Sequence, residues 1–71
     1  MKKKNVVMST LSEDVLSDIE NKLEELGVSI IEERYDLLYH RYELYVKVNL
    51  RQSYKLRRFI KNRNANIMEL A

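Results

Sequence analysis

The chain has 71 residues, 45% of them hydrophobic and 34% charged, with a formal net charge of +2. That is room for one small folded domain, whose core is marginal unless it is well packed or shared with another copy. Cysteine is absent and histidine occurs once, as His40, so disulfides, thiolate metal sites and histidine clusters are excluded. No apolar run approaches membrane-spanning length, and "VVM" near the basic start is too short for a signal-peptide core. The expectation is a single domain over residues 1–71, cytoplasmic, with no membrane insertion by this segment.

"KNVVMST" (residues 4–10) is β-branched at its centre and reads as a strand. "TLSEDVLSDIENKLEELG" reads as a helix with both ends marked. Thr10 with Glu13, or Ser12 alone, can cap its first amides, and Glu13 and Asp14 suit the positive end of the dipole. Leu16, Ile19, Leu23 and Leu26 fall on one helical face with Val15 beside them. Gly27 is the only glycine and follows directly, as a left-handed residue that ends the helix.

The next stretch, "VSIIEERYDLLYHRYELYVKVNL", admits two readings. Tyr42, Leu44, Val46, Val48 and Leu50 alternate with Arg41, Glu43, Tyr45, Lys47 and Asn49, as in a half-buried strand. "VSII" then begins a partner strand, and the hairpin turns near "DLLYH" without Gly, Pro or Asn to mark it. Against this, Ile31, Tyr35, Leu38, Tyr42 and Tyr45 also form a helical stripe, which would make an all-α three-helix domain. Val46 and Val48 in alternation favour two strands. "QSYKLRRFIKN" is a second helix with Leu56, Phe59 and Ile60 inward, "NRNAN" a turn, and "IMELA" a short last strand.

The resulting order, β-α-β-β-α-β, is the α+β ferredoxin-like arrangement: a four-stranded antiparallel sheet of order 4-1-3-2 with both helices on one face. Nine acids lie between Ser12 and Asp36 against Lys22 and Arg34, whereas residues 51–63 carry six positive charges and no negative one. Helices packed side by side would set these charges flank to flank. The sheet's other face has no helix to cover it. If Val6, Met8, Val48 and Met68 point at the helices, then Val7, Tyr45, Lys47 and Ile67 line the open face. Ile31 and Tyr35 would join them under simple alternation. That mixed surface is the candidate contact face of a homodimer.

No constellation for catalysis stands out. EF-hand spacing, a Gly-rich phosphate loop and a nucleophile elbow are all missing. The acids read as a solvated face, the five tyrosines mostly as core and sheet packing, and His40 as an exposed residue by the turn. No cofactor is expected. The same topology serves RNA-recognition motifs, but "NVVMST" has no aromatic and "RYELYVKV" lacks their glycine and alternating aromatics. A nonspecific alternative stands, a nucleic-acid or transcription-complex binder. Lys55 and Arg58, with Asn62, on one flank of the helix within residues 51–63 and Arg57 and Lys61 on the other would contact phosphates.

"ELGVSIIEERYDL…YELYVKVNL…LRRFIKNRNANIMEL" resembles a small ACT-type regulatory domain, in particular the C-terminal cytoplasmic domain of the MgtC/SapB family. The likeness is one of pattern over residues 4–70. It implies a non-enzymatic regulatory or protein-interaction module. Many ACT domains bind amino acids through a glycine-bearing loop after the first strand, but here that loop is "MSTLSED", and no ligand residues carry over.

Overall fold

The computed structural model describes residues 2–70. The elements are β1 (Lys4–Thr10), α1 (Glu13–Glu25), β2 (Ile30–Asp36), β3 (Arg41–Val48), α2 (Leu50–Ile60) and β4 (Ala65–Glu69). They form one four-stranded sheet of order β2-β3-β1-β4, with every neighbouring pair antiparallel. This is the α+β ferredoxin-like fold the alternation of residues 41–48 points to. The all-helical alternative is absent.

Both helices lie on one face because only that face carries a continuous apolar surface. Val6 and Met8 of β1 and Leu44, Val46 and Val48 of β3 are buried against Ile19 and Leu23 of α1 and Leu56 and Ile60 of α2. Val15, Leu16, Leu26 and Phe59 close the margins. Each large side chain buried this way contributes roughly 1.5–3 kcal/mol, so this layer dominates stability.

Local chemistry fixes the ends. The Val15 amide donates to Ser12 Oγ at 3.3 Å, so Ser12 is the N-cap of α1. Thr10 instead ties two loops together, accepting from the Ser12 amide at 3.1 Å and donating to the Asn64 carbonyl at 2.7 Å. Gly27 takes φ +72°, the left-handed conformation a β-carbon disfavours. α2 starts two residues before the expected "QSYKL". Asn49 caps it, and Asn49 and Gln52 exchange backbone-to-side-chain bonds of 2.8 and 2.9 Å in a capping box. Leu50 therefore leaves the strand and is exposed on the first turn. β4 likewise begins at Ala65, two residues earlier than "IMELA".

The unmarked hairpin has its marker inside the strand. Asp36 Oδ1 accepts from the amides of Leu38 and Tyr39, at 2.9 and 3.3 Å, and His40 adopts φ 53°. An aspartate turn followed by a left-handed residue does the work of the missing Gly or Asn. No helix among the described residues is long and apolar enough to cross a membrane.

The candidate interface: an uncovered sheet face

Direct partners across an antiparallel sheet share a face, so the register sorts the side chains. Val7 pairs with Tyr45 and with Met68, and Tyr45 pairs with Glu32. This row crosses the middle of the sheet on the side away from the helices. One row toward the hairpin stand Arg34, Glu43, Ser9 and Asn66. Toward the other end stand Lys47 and Asn5, with Leu70 beside them through its 2.8 Å amide bond to the Asn5 carbonyl.

Val7, Tyr45 and Lys47 thus lie on the open face as their alternation implies. Ile67 does not. It pairs with Met8 and packs against the core, while Met68 points outward. The reversal follows from where β4 starts: Ala65 opposite Thr10 puts Ala65, Ile67 and Glu69 on the helix side. The same parity shows in the two methionines, Met8 at 1% exposure and Met68 at 62%.

A second correction concerns β2. The pairing slips between Ile30 and Glu32, a bulge that shifts the alternation by one. Ile31 and Glu32 both border a hollow of about 260 Å³ with Asn5, Tyr45 and Leu70 on the open side. Tyr35 is carried to the helix side, where its ring meets Tyr42 edge-on at 4.9 Å. None of the five tyrosines is fully buried: Tyr35 and Tyr42 sit at the hairpin end of the sheet, Tyr39 at the hairpin tip, Tyr45 on the open face and Tyr54 on the outside of α2.

Charge organises the face. Arg41 forms an ion pair with Glu43 Oε2 at 3.2 Å and lies 3.9 Å from Asp36, and the Tyr45 hydroxyl donates to Glu43 Oε1 at 3.4 Å. Arg34 stacks 5.5 Å above the Tyr45 ring and pairs with Glu32 at 3.0 Å, which raises the guanidinium's pKa further. Lys47 is exposed and has no ion-pair partner among the described residues. At the hairpin tip Leu37, Leu38 and Tyr39 are 77%, 78% and 61% exposed, on the turn that Asp36 caps.

On the helix side the expected flank-to-flank pairing of acids and bases is not formed. Among the described residues no ion pair joins α1 to α2. Lys22 binds Glu25 of its own helix at 3.2 Å. Phe59 fills the seam instead, with Lys22 5.5 Å and Arg63 3.8 Å from its centroid. Of the four basic residues expected to meet phosphates, Arg57 is 3.8 Å from Glu69 and Arg58 lies over Tyr54, while Lys55 and Lys61 have no ion-pair partner among the described residues. Glu20 of α1 and Glu33 of β2 stand together. Their shared hydrogen bond, partial burial and like charge raise the Glu20 pKa. Tyr42 donates to Glu13 at 2.8 Å, which raises the phenol.

A cleft of about 530 Å³ opens at the hairpin end between Ser9, Thr10, Tyr39, Arg41, Arg63 and Asn64. The Arg41 Nε there is buried without a hydrogen-bond partner. Sequence reading missed this convergence, since its residues come from three connections far apart in the chain.

No protein-family model matches the chain, and no curated protein matches it in sequence. Solved structures do match. The uncharacterized protein TM1266 from Thermotoga maritima superposes with a TM-score of 0.62 at 9% identity, over 97% of this chain and 96% of that one. A formyltetrahydrofolate deformylase from Pseudomonas putida KT2440 also superposes with a TM-score of 0.62, at 12% identity. It covers 99% of this chain, which spans only 29% of the deformylase. At such identities the likeness is one of fold: a small ferredoxin-like βαββαβ domain.

Proposed function

We propose that this chain is a non-enzymatic regulatory or protein-interaction module that self-associates as a homodimer through its open sheet face. One observation carries the reading. The helices cover one face of the sheet, while Val7, Tyr45 and Met68 form an apolar row across the middle of the other. Ile31 and Leu70 add exposed apolar surface beside that row, and charges surround it. A small domain gains most from covering such a row with a second copy. The ferredoxin-like fold accommodates a regulatory role, and the pattern resemblance to ACT-type domains, in particular the MgtC/SapB C-terminal domain, supports it. Sedimentation velocity over a concentration series tests it. The parent chain is expected to dimerise, and Tyr45→Asp to shift it toward monomer with an unchanged circular dichroism spectrum. A Tyr45→Asp dimer as strong as the parent's would place the contact elsewhere.

A second reading is a nucleic-acid or transcription-complex binder using α2. It is favoured by the missing ion pairs between α1 and α2, which leave Lys55 and Lys61 free among the described residues to meet phosphates. Binding of single- or double-stranded oligonucleotides that weakens with salt and is lost in Arg57→Glu/Arg58→Glu would support it. No binding by the parent at low salt would end it.

A further inference from the structure

The open face carries a charge pattern that selects one way for two copies to stack. Take the row Glu32–Tyr45–Val7–Met68 as its midline. Two residues from Tyr45 toward the hairpin is Glu43, and two residues the other way is Lys47. On one strand and one face, each stands roughly 7 Å from the midline.

We infer that two copies pack face to face about a two-fold axis along this midline, with Lys47 of each copy against Glu43 of the other. The inference rests on the self-association reading above and specifies its geometry. An axis along the midline reverses strand direction between the copies. Val7, Tyr45 and Met68 then meet their own counterparts in the centre, and the ion pair forms twice, once on each side.

Three observations favour this arrangement over its competitor, a two-fold axis parallel to the strands. First, Lys47 is the only one of the face's three cations, with Arg34 and Arg41, that lacks an ion-pair partner among the described residues. Second, Glu43 is already fixed as an acceptor. Arg41 holds one oxygen at 3.2 Å, the Tyr45 hydroxyl approaches the other at 3.4 Å, and its side chain is only 14% exposed. A carboxylate has lone pairs for a further donor, and an immobilised, partly desolvated one discriminates best between partners. Third, both acids beyond the midline, Asp36 and Glu43, lie in the hairpin half of the face, with Arg34 and Arg41, whereas Lys47 at the far end stands opposite Asn5. An axis parallel to the strands would lay far end on far end. Both lysines would then face Asn5 and each other without a counter-charge. Stacked sheets sit about 10 Å apart, a gap that lysine and glutamate side chains together can bridge.

The test is charge exchange followed by sedimentation equilibrium on the intact chain. Lys47→Glu alone and Glu43→Lys alone are each expected to weaken the dimer at least roughly tenfold, since each sets like charges together twice per dimer. The double variant Glu43→Lys/Lys47→Glu is expected to recover most of that loss. Because Glu43→Lys also faces Arg41 and Arg34 within its own chain, a milder cycle accompanies it. With Glu43→Gln, Lys47→Gln and their combination, the double variant is expected to be no weaker than the weaker single one. Losses that multiply in both cycles would overturn the proposed axis while leaving the open-face dimer standing. A parent chain that stays monomeric at all concentrations would overturn the self-association reading, and this inference with it.

Discussion

The two faces of one sheet, built from the same strands, have opposite characters. Toward the helices, Val6, Met8, Leu44, Val46 and Val48 are sealed under Ile19, Leu23, Leu56 and Ile60. Away from them, Val7, Tyr45 and Met68 are interrupted by Glu43, Lys47, Asn5 and Arg34. The first face is fixed by volume and apolar area. The second is fixed by charge placement, too polar for an interior and too apolar to be indifferent to a partner. The lesson is that stability and association are assigned to opposite sides of two central strands, so substitutions should separate them.

The sharpest break should come on the sealed side. Leu56 is fully buried at the centre of α2, and Leu56→Ala is expected to cost about 2–5 kcal/mol, enough to leave a domain of this size largely unfolded in thermal or urea melts. The junctions come next. A β-carbon at Gly27 would meet nothing within 4 Å, so Gly27→Ala carries only the strain of positive φ, about 1–2 kcal/mol. Asn49→Ala removes the acceptor for the Gln52 amide and should cost about 1 kcal/mol in the same melts. On the open side, Tyr45→Asp should change monomer stability by no more than about 0.5 kcal/mol while abolishing association, which is the contrast stated above in its purest form.

The smallest effect lies at the margin between α1 and β2. The Glu20 pKa is raised in the folded state, so the fold binds that proton more tightly than the unfolded chain does. Its favourable contribution is present below the ordinary glutamate range and is lost as pH rises through the raised value. At neutral pH the Glu20–Glu33 pair therefore opposes folding. Glu20→Gln should stabilise the protein there by a few tenths of a kcal/mol, as suits an exposed pair. The gain should vanish in acid, and a urea-melt series from neutral pH to below the glutamate range would read it.

Much of the fold was legible in the sequence because two periods carry it. The 41–48 alternation identified β3, and the Leu16–Ile19–Leu23 spacing with Gly27 delimited α1 within a few residues. Where reading failed, the deciding interaction lay outside the local pattern. The β4 parity depends on Ala65 meeting Thr10, a contact across more than fifty positions, so Ile67 and Met68 were exchanged. The β2 bulge sends Tyr35 to the helix side, and nothing in "IIEERYD" marks the slip. The turn at Asp36 was hidden because its aspartate ends a strand. Side-by-side helices of opposite charge were expected to pair, yet the cations there settle on Phe59 and on their own helix. Of the proposed contact residues, Val7, Tyr45 and Lys47 keep their places because they sit on the two central strands, whose pairing is regular throughout.

The most direct test uses two methionines that report on the two faces. Met8 is sealed beneath the helices and Met68 stands at the end of the open-face row. Methyl-labelled methionine NMR over a hundredfold dilution should move the Met68 signal as the dimer dissociates and leave Met8 in place. Movement of Met8 with Met68 fixed, or no movement of either while sedimentation still reports a dimer, would contradict association through the open face.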